Sequence, residues 1–158
     1  MKPATLNGLK KELELLHPAE LVKLCLRLAK YKKENKELLG YLLFDSNYEP
    51  EYINRVKEEI DQLFSGINGS NLYFAKKNIR KILRITNKYI RYSGIKRTEV
   101  ELRIHFCSKL RQSCLPVHSS TALSNIFDGQ VMKIGKALSM LHEDLQHDYN
   151  EEIKQISR

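Results

Sequence analysis

The sequence has 158 residues and a formal net charge of +8. Apolar residues make up 42 % of it and charged residues 29 %, a balance that supplies a hydrophobic core and excludes general disorder. Gly and Pro number only seven and four, while Leu, Ile, Lys and Glu dominate, which favours helices over strands. The length suits one domain over residues 1–158.

Targeting signals and cysteine content bear on where the protein acts. No apolar run approaches the roughly 20 residues that cross a bilayer, so we expect no membrane partner. The N-terminal segment mixes Lys and Glu with Leu, unlike a signal or transit peptide. Cys25, Cys107 and Cys114 are too few for a disulfide framework, and we interpret them as small core residues. We therefore expect a cytoplasmic protein in a reducing compartment.

Apolar spacing predicts four helices in the first part of the chain. Leucines three and four residues apart over Leu6–Leu16 predict a short amphipathic helix. Pro18 begins a second helix, whose apolar residues lie on two sides, so we expect burial of both. A third helix follows the charged stretch Lys32–Lys36, although the second and third could also be one bent helix. Pro50 begins the fourth helix.

Three further helices are predicted in the remaining sequence. The fifth runs from Asn71 to Tyr92 and ends before Gly94, which can adopt the left-handed cap. Residues 98–106 alternate between polar and apolar side chains, as a strand does, but no other segment could pair with a lone strand, so we predict a helix. From Phe127 to Tyr149 apolar residues recur at steps of three and four, which predicts a long C-terminal helix with a heptad-like seam. The predicted fold class is all-α: a single compact domain of about seven helices, arranged in antiparallel pairs.

The positive charge is concentrated in one quarter of the chain. Residues 71–111 hold twelve basic and two acidic side chains, a net charge of +10. Residues 1–70 hold eleven of each sign, and residues 112–158 hold four basic and six acidic side chains. The excess of positive charge therefore comes entirely from the fifth and sixth predicted helices.

One side of the fifth helix carries most of this charge. At about 100° per residue, six basic side chains fall within an arc of about 100°. We call these six residues the basic stripe: Lys77, Arg80, Lys81, Arg84, Lys88 and Arg91. No acidic residue lies between Asn71 and Ile95 to neutralise the stripe within the helix. Tyr73 lies within the arc, and Phe74 and Tyr92 lie at its edge, where aromatic rings could stack on bases.

The stripe predicts a binding face for an acidic partner over residues 73–92, with nucleic acid the leading class. The structural alternative is a solvated helix face, or one that pairs with carboxylates elsewhere in the chain. Two acidic groups are candidates for that pairing: Glu58, Glu59 and Asp61 before the helix, and Glu143, Asp144 and Asp148 near the C-terminus. A second function, almost level with the first, is a protein–protein interaction adaptor or self-associating scaffold that uses a helix-pair surface or the 127–149 seam.

Catalytic and metal-binding motifs are not found in the sequence. His142 and His147 are five residues apart and would project about 140° apart, whereas helical zinc ligands are three or four apart. His105 and Cys107 would project about 160° apart, too far for a nucleophile and its base. There is no Gly-rich phosphate loop, C-x-x-C or H-E-x-x-H. We therefore predict a non-catalytic protein without metal or cofactor, and an enzyme with no recognisable motif is the third alternative.

Overall fold

The computed structural model describes residues 2–157, except for the side chain of Ser157. Eight α-helices and a π-helical turn over Tyr41–Asp45 occupy this part of the chain, which contains no strand. The α-helices are α1 (Leu6–Glu14), α2 (Pro18–Tyr31), α3 (Lys33–Gly40), α4 (Glu49–Ser65), α5 (Leu72–Ser93), α6 (Lys96–Gln112), α7 (Thr121–Leu138) and α8 (Glu143–Ser157). The all-α prediction is confirmed.

The chain divides into two compact units, one ending at Phe44 and the other beginning at Asp45. The first unit contains α1 to α3, and the second contains α4 to α8. Two compact units can belong to one domain, so the single domain over residues 1–158 stays a prediction. The antiparallel pairing of the first four helices also stays a prediction. No helix in the described part of the chain is long and apolar enough to cross a membrane.

In the first unit, α2 and α3 are separate helices that pack against each other. Lys32 separates them because its backbone is extended, with φ −141° and ψ 142°. Pro18 occupies the first turn of α2, where its missing N–H breaks no helical hydrogen bond. The side-chain amide of Asn35 donates a hydrogen bond to the Leu28 carbonyl at 2.9 Å and ties the start of α3 to α2.

The expected burial of α2 on two sides is wrong. None of its residues is buried, and Val22 and Tyr31 are 58 % and 78 % exposed. A unit of three short helices has too few elements to cover a helix that is apolar on both sides. The first unit therefore carries most of the large apolar side chains that are exposed in the described part of the chain.

In the second unit, α6 is the central helix and packs against α4, α5, α7 and α8. The alternating segment over residues 98–106 lies within it, so the helix prediction is confirmed. Both predicted sides are buried: Val100, Ile104 and Cys107 on one, Leu102, Phe106 and Leu110 on the other. A helix covered all round needs apolar residues in several directions, and this explains why its sequence lacks a clear 3.6-residue period.

Helix α5 presents its apolar side to α4 and α6. Five residues on that side are buried: Ala75, Ile79, Ile82, Thr86 and Ile90. The Asn71 side chain accepts hydrogen bonds from the backbone N–H groups of Tyr73 and Phe74 at 3.1 and 3.2 Å. At the other end Gly94 adopts the left-handed conformation with φ 67°, as predicted from its position. Burial of the apolar side leaves the basic stripe facing away from the helices of this unit.

The long C-terminal helix predicted over residues 127–149 is instead two helices. The chain leaves the helical path after Leu138 and re-enters it at Glu143. This turn brings Tyr149 onto α6, where its hydroxyl donates a hydrogen bond to Glu101 Oε1 at 2.9 Å. Several seam residues are buried within the unit: Phe127, Ile134, Leu138 and Tyr149. These four residues belong to the core of the unit, while the other three apolar seam residues, Val131, Leu141 and Leu145, are half-buried.

The cysteines differ in their environment. Cys107 is a core residue as predicted, and burial raises the pKa of its thiol to about 12. Cys25 and Cys114 are exposed, so the prediction that they are core residues is wrong. Cys25 is exposed because the first unit does not cover α2, and Cys114 because it follows the end of α6.

A buried ionic network joins α5, α6 and α7. Arg103 is 6 % exposed, and its Nε and Nη2 donate to Glu99 Oε1 at 3.0 and 2.9 Å. Its Nη1 donates to Asn87 Oδ1 at 2.9 Å and to Gln130 Oε1 at 2.6 Å. Glu99 also accepts from Lys96 at 2.8 Å. A buried guanidinium needs such partners, because unpaired polar groups are costly to remove from water.

We expect Arg103→Met to lower the free energy of unfolding by about 3 kcal/mol, because it breaks a buried ion pair and leaves Asn87 and Gln130 without their donor. The shift of the urea midpoint measures this loss. Lys96→Met removes the other, more exposed cation from the same carboxylate and should cost less than about 1 kcal/mol. Equal losses in the two variants would contradict the structural importance of the Arg103 network.

Candidate functional site

The basic stripe lies on the solvent-facing side of α5. Five of its members are exposed, and these are Lys77, Arg80, Lys81, Arg84 and Arg91, whereas Lys88 is half-buried. From Lys77 to Arg91 the helix rises about 21 Å at 1.5 Å per residue. The sequence predicted both the helix and the common face of these residues. The structure brings the six together on one rigid element, as the periodicity required.

The five exposed members of the stripe have no acidic partner. Among the described residues, no carboxylate lies within 4.0 Å of their charged groups. The alternative in which acids from elsewhere in the chain neutralise the stripe is therefore not seen for these five. Their charges are compensated only by solvent and salt, which are replaced most readily by a multivalent anion.

Two of the acidic residues considered as partners, Asp61 and Glu59, have other contacts. Asp61 accepts from His105 Nε2 at 2.6 Å and pairs with Lys109 Nζ at 3.0 Å. Glu59 accepts a hydrogen bond from the Tyr89 hydroxyl at 2.7 Å. Neither carboxylate is within reach of the exposed stripe residues.

Four of the five basic residues of α6 differ from the exposed ones of α5, because they pair with carboxylates. Lys96 and Arg103 share Glu99, Arg97 Nε lies 3.1 Å from Glu101 Oε1, and Lys109 pairs with Asp61. The basic residues of the segment over residues 71–111 therefore include four on α6 that pair with carboxylates and five exposed ones on α5 that meet no carboxylate among the described residues. Glu99 and Glu101 lie within α6 itself, three or four residues from the cations that they meet, whereas Asp61 comes from α4, far from Lys109 along the chain.

Hydrogen bonds and burial shift the pKa values of several groups around α6. Burial works against ionisation of Glu101, but hydrogen bonds from Lys57, Tyr149 and Arg97 outweigh it, so its pKa lies below the usual value. Burial lowers the pKa of His105 more than the carboxylate of Asp61 raises it. The fold therefore holds the Glu101 carboxylate in its charged form.

Aromatic side chains lie at the N-terminal end of α5. Tyr73 is 74 % exposed and Phe74 is 57 % exposed, and their rings meet edge to face with centroids 5.5 Å apart. Both rings offer surface to an unpaired base. The sequence placed Phe74 only at the edge of the stripe, and its solvent exposure, which the structure reveals, makes it a candidate equal to Tyr73.

At the other end of the helix the aromatic residues pack within the protein. Tyr92 is half-buried and meets the ring of Tyr89 edge to face at 6.0 Å. The ammonium group of Lys88 lies 4.6 Å from the centre of the Tyr89 ring and 5.8 Å from that of Tyr92. A role for Tyr92 in base stacking stays a prediction, and Lys88 is more constrained than the other members of the stripe.

The spacing of the C-terminal histidines in the sequence argues against a metal site there. His142 precedes α8 and its Nδ1 lies 3.4 Å from Asp144 Oδ2. In the part of the chain that the structure describes, no three His, Cys, Asp or Glu side chains are grouped so that they could hold a metal ion. The basic stripe and its aromatic neighbours are therefore the strongest candidate site.

We expect acid to destabilise the protein partly through Glu101. Because its pKa is lowered in the folded state, its contribution to stability is present above the unfolded value of 4.5 and is lost as the pH falls through the folded pKa. The free energy of unfolding, measured in urea below pH 4.5, should therefore fall less steeply with acid in Glu101→Gln than in the wild type.

The control for this measurement is Glu58→Gln, which removes an exposed carboxylate from α4. Its profile should follow that of the wild type. If Glu101→Gln and the wild type lose stability in parallel below pH 4.5, the lowered pKa of Glu101 is contradicted.

No protein-family model matches this chain, and neither a curated protein nor a solved structure matches it significantly.

Proposed function

We propose that this protein is a non-catalytic binding protein that holds single-stranded nucleic acid on the basic stripe. The observation that carries the proposal is the set of five exposed cations on α5 that no carboxylate neutralises. Like charges at these spacings repel one another, so a binding partner that carries negative charge relieves the repulsion. A phosphate backbone supplies such charge at regular intervals along the length of the helix.

The burial of α5 argues against a membrane surface as the partner. A helix that binds in the lipid interface inserts its apolar side among the acyl chains. The apolar side of α5, including Ile79, Ile82 and Ile90, is buried against other helices. Only the charged side is available, and this suits a polyanion in water.

The exposed rings of Tyr73 and Phe74 favour a single strand over a duplex. Stacking on an aromatic side chain requires a base whose face is free, and bases within a duplex are already stacked. Phosphate contacts from Lys and Arg carry no sequence information. We therefore expect binding that tolerates many sequences and depends strongly on salt.

The main test is the affinity for a fluorescently labelled single-stranded oligonucleotide, measured by anisotropy at about 50 and 200 mM salt. Each phosphate contact to a single strand contributes about 0.7 to the salt slope, so five contacts predict a slope near −3.5 and about a hundredfold loss over this range. Arg80→Glu, Lys81→Glu and Arg84→Glu in one variant should weaken binding and reduce the loss to about sevenfold.

A matched control reverses three exposed charges on α2, namely Lys23, Arg27 and Lys30. It changes the net charge of the protein by the same amount but leaves the stripe intact, so its affinity should remain close to that of the wild type. Equal weakening in both variants would show a general effect of net charge. Absence of binding by the wild type at low salt would refute the proposal, and tighter binding of a duplex would refute the preference for single strands.

A second function, a protein–protein interaction surface, is favoured by the first unit. The exposed apolar residues of this unit include Val22 and Leu26 on α2 and Leu43 and Phe44 in the π-helical turn. Separate from these, the apolar side chains of α2 and α3 line a groove of about 330 Å³. Exposed apolar residues and an apolar groove on one small unit favour the binding of another protein. Four of the seven apolar residues of the 127–149 seam are buried in their own unit, so the seam supports this function less than α2 does.

For this second function we expect self-association through α2 and α3 that persists in high salt, because apolar contacts are not screened by ions. Sedimentation equilibrium measures the molar mass of the protein over a range of concentrations. Leu28→Glu together with Leu42→Glu, which places two charges at the groove, should shift the protein to the monomer with unchanged helicity. A wild type that stays monomeric at every concentration would exclude the self-associating scaffold.

A further inference from the structure

A cavity of about 540 Å³ lies beyond the C-terminal end of the basic stripe, within the second unit. It is bounded by the last turns of α5, the turn at Gly94, the first turns of α6, and α7. Its charged lining consists of Arg91, Lys96, Glu99, Arg103 and Lys133. Four cations and one carboxylate give this lining a net charge of +3.

The internal pairing of these groups leaves two cations available. Glu99 is shared between Lys96 and Arg103, with contacts of 2.8 to 3.0 Å. Arg91 and Lys133 are exposed, and no carboxylate among the described residues lies within 4.0 Å of either charged group. They belong to α5 and α7, so both helices contribute an unneutralised positive charge to the cavity.

The network around Arg103 makes this cavity a rigid site. Arg103 is held by Glu99, Asn87 and Gln130, and it fixes α6 to both α5 and α7. These bonds link the two helices that carry Arg91 and Lys133 without a ligand. Sites that are organised before binding lose less entropy when the ligand enters.

The chemistry of the lining selects a ligand with about two negative charges. A phosphomonoester carries about −1.5 to −2 near neutral pH, whereas a phosphodiester within a strand carries only one. The volume lies within the range of about 300 to 1,000 Å³ that is usual for small-ligand pockets, and it admits a phosphate together with its sugar. Arg91 belongs to both the stripe and the cavity, so a strand that follows the stripe to its end reaches this site.

We propose that the cavity binds the terminal phosphate of the strand that lies on the basic stripe. This inference rests on the proposed function, since the stripe brings the strand to the cavity. Arg91 and Lys133 contact the phosphate oxygens, and the buried guanidinium of Arg103 contributes positive potential from the wall. The protein then recognises an end of a strand in addition to its backbone.

The test compares three forms of one internally labelled single-stranded oligonucleotide: with a 5′-phosphate, with a 3′-phosphate, and with hydroxyl groups at both ends. We expect one phosphorylated form to bind about tenfold more tightly than the hydroxyl form, as one added charge-assisted hydrogen bond would give. The two phosphorylated forms show which end enters the cavity. The hydroxyl form reports binding to the stripe alone.

Lys133→Gln removes one of the two available cations of the cavity and leaves the stripe intact. It should abolish the preference for the phosphorylated end while the affinity for the hydroxyl form stays unchanged. Lys136→Gln is the matched control, because this lysine is exposed on the same helix but does not line the cavity. It should retain the full preference.

The outcomes separate this inference from the proposed function. If all three oligonucleotides bind equally, the cavity does not bind a terminal phosphate, and the stripe remains the binding site. If the preference survives in Lys133→Gln, the phosphate binds elsewhere and the inference is overturned. If none of the three binds to the wild type, both the proposed function and this inference are refuted.

Discussion

The second unit depends on the burial of one helix. Helix α6 has apolar side chains in several directions, and four other helices must surround it to remove them from water. This requirement determines how α5 lies, since its apolar side is needed as one wall around α6. The basic stripe on the opposite side of α5 must then face solvent, because burial of unpaired charges would cost far more than the packing contributes. The candidate site is thus a consequence of the core.

Packing also explains how the fold tolerates a helix with repelling charges. Ile79, Ile82 and Ile90 each contribute about 1.5 to 3 kcal/mol when fully buried, whereas each pair of like charges on the surface costs only tenths of a kcal/mol. The helix is therefore held by its apolar side and does not need neutralisation of its charged side. Glu99, Glu101 and Asp61 instead pair with cations of α6, among which Arg103 is buried and most needs a partner.

The features along α5 differ from one end to the other. Exposed aromatic rings lie at its N-terminal end, five exposed cations follow, and a positively charged cavity lies beside its last turns. Lys88 and Tyr92 lie near the C-terminal end and are constrained by the packing of Tyr89. A ligand that spans the helix meets stacking surface first and concentrated positive charge last, so the site has a direction as well as a charge.

Local sequence patterns predict where most helices form and which side of each is apolar. Asn71 and Gly94 mark the ends of α5, and the spacing between them places six cations on one face, because helical periodicity is a local property of the chain. Local patterns could not show what covers each face. The apolar spacing over residues 127–149 is the same for one long helix as for two helices joined by a turn. In the structure the helix ends at Leu138, and a second helix brings Tyr149 into contact with α6.

Contacts between distant parts of the chain determine which of these charges meet a partner from another helix and which apolar faces stay exposed. The partners of α6 cations come from residues as distant as Asp61, and α2 remains uncovered although its sequence suggests a buried helix. The cavity beside Arg91 exists only because α5, α6 and α7 meet there. These properties depend on contacts between residues far apart in the chain, whereas a sequence pattern reports only the chemistry of each helix face.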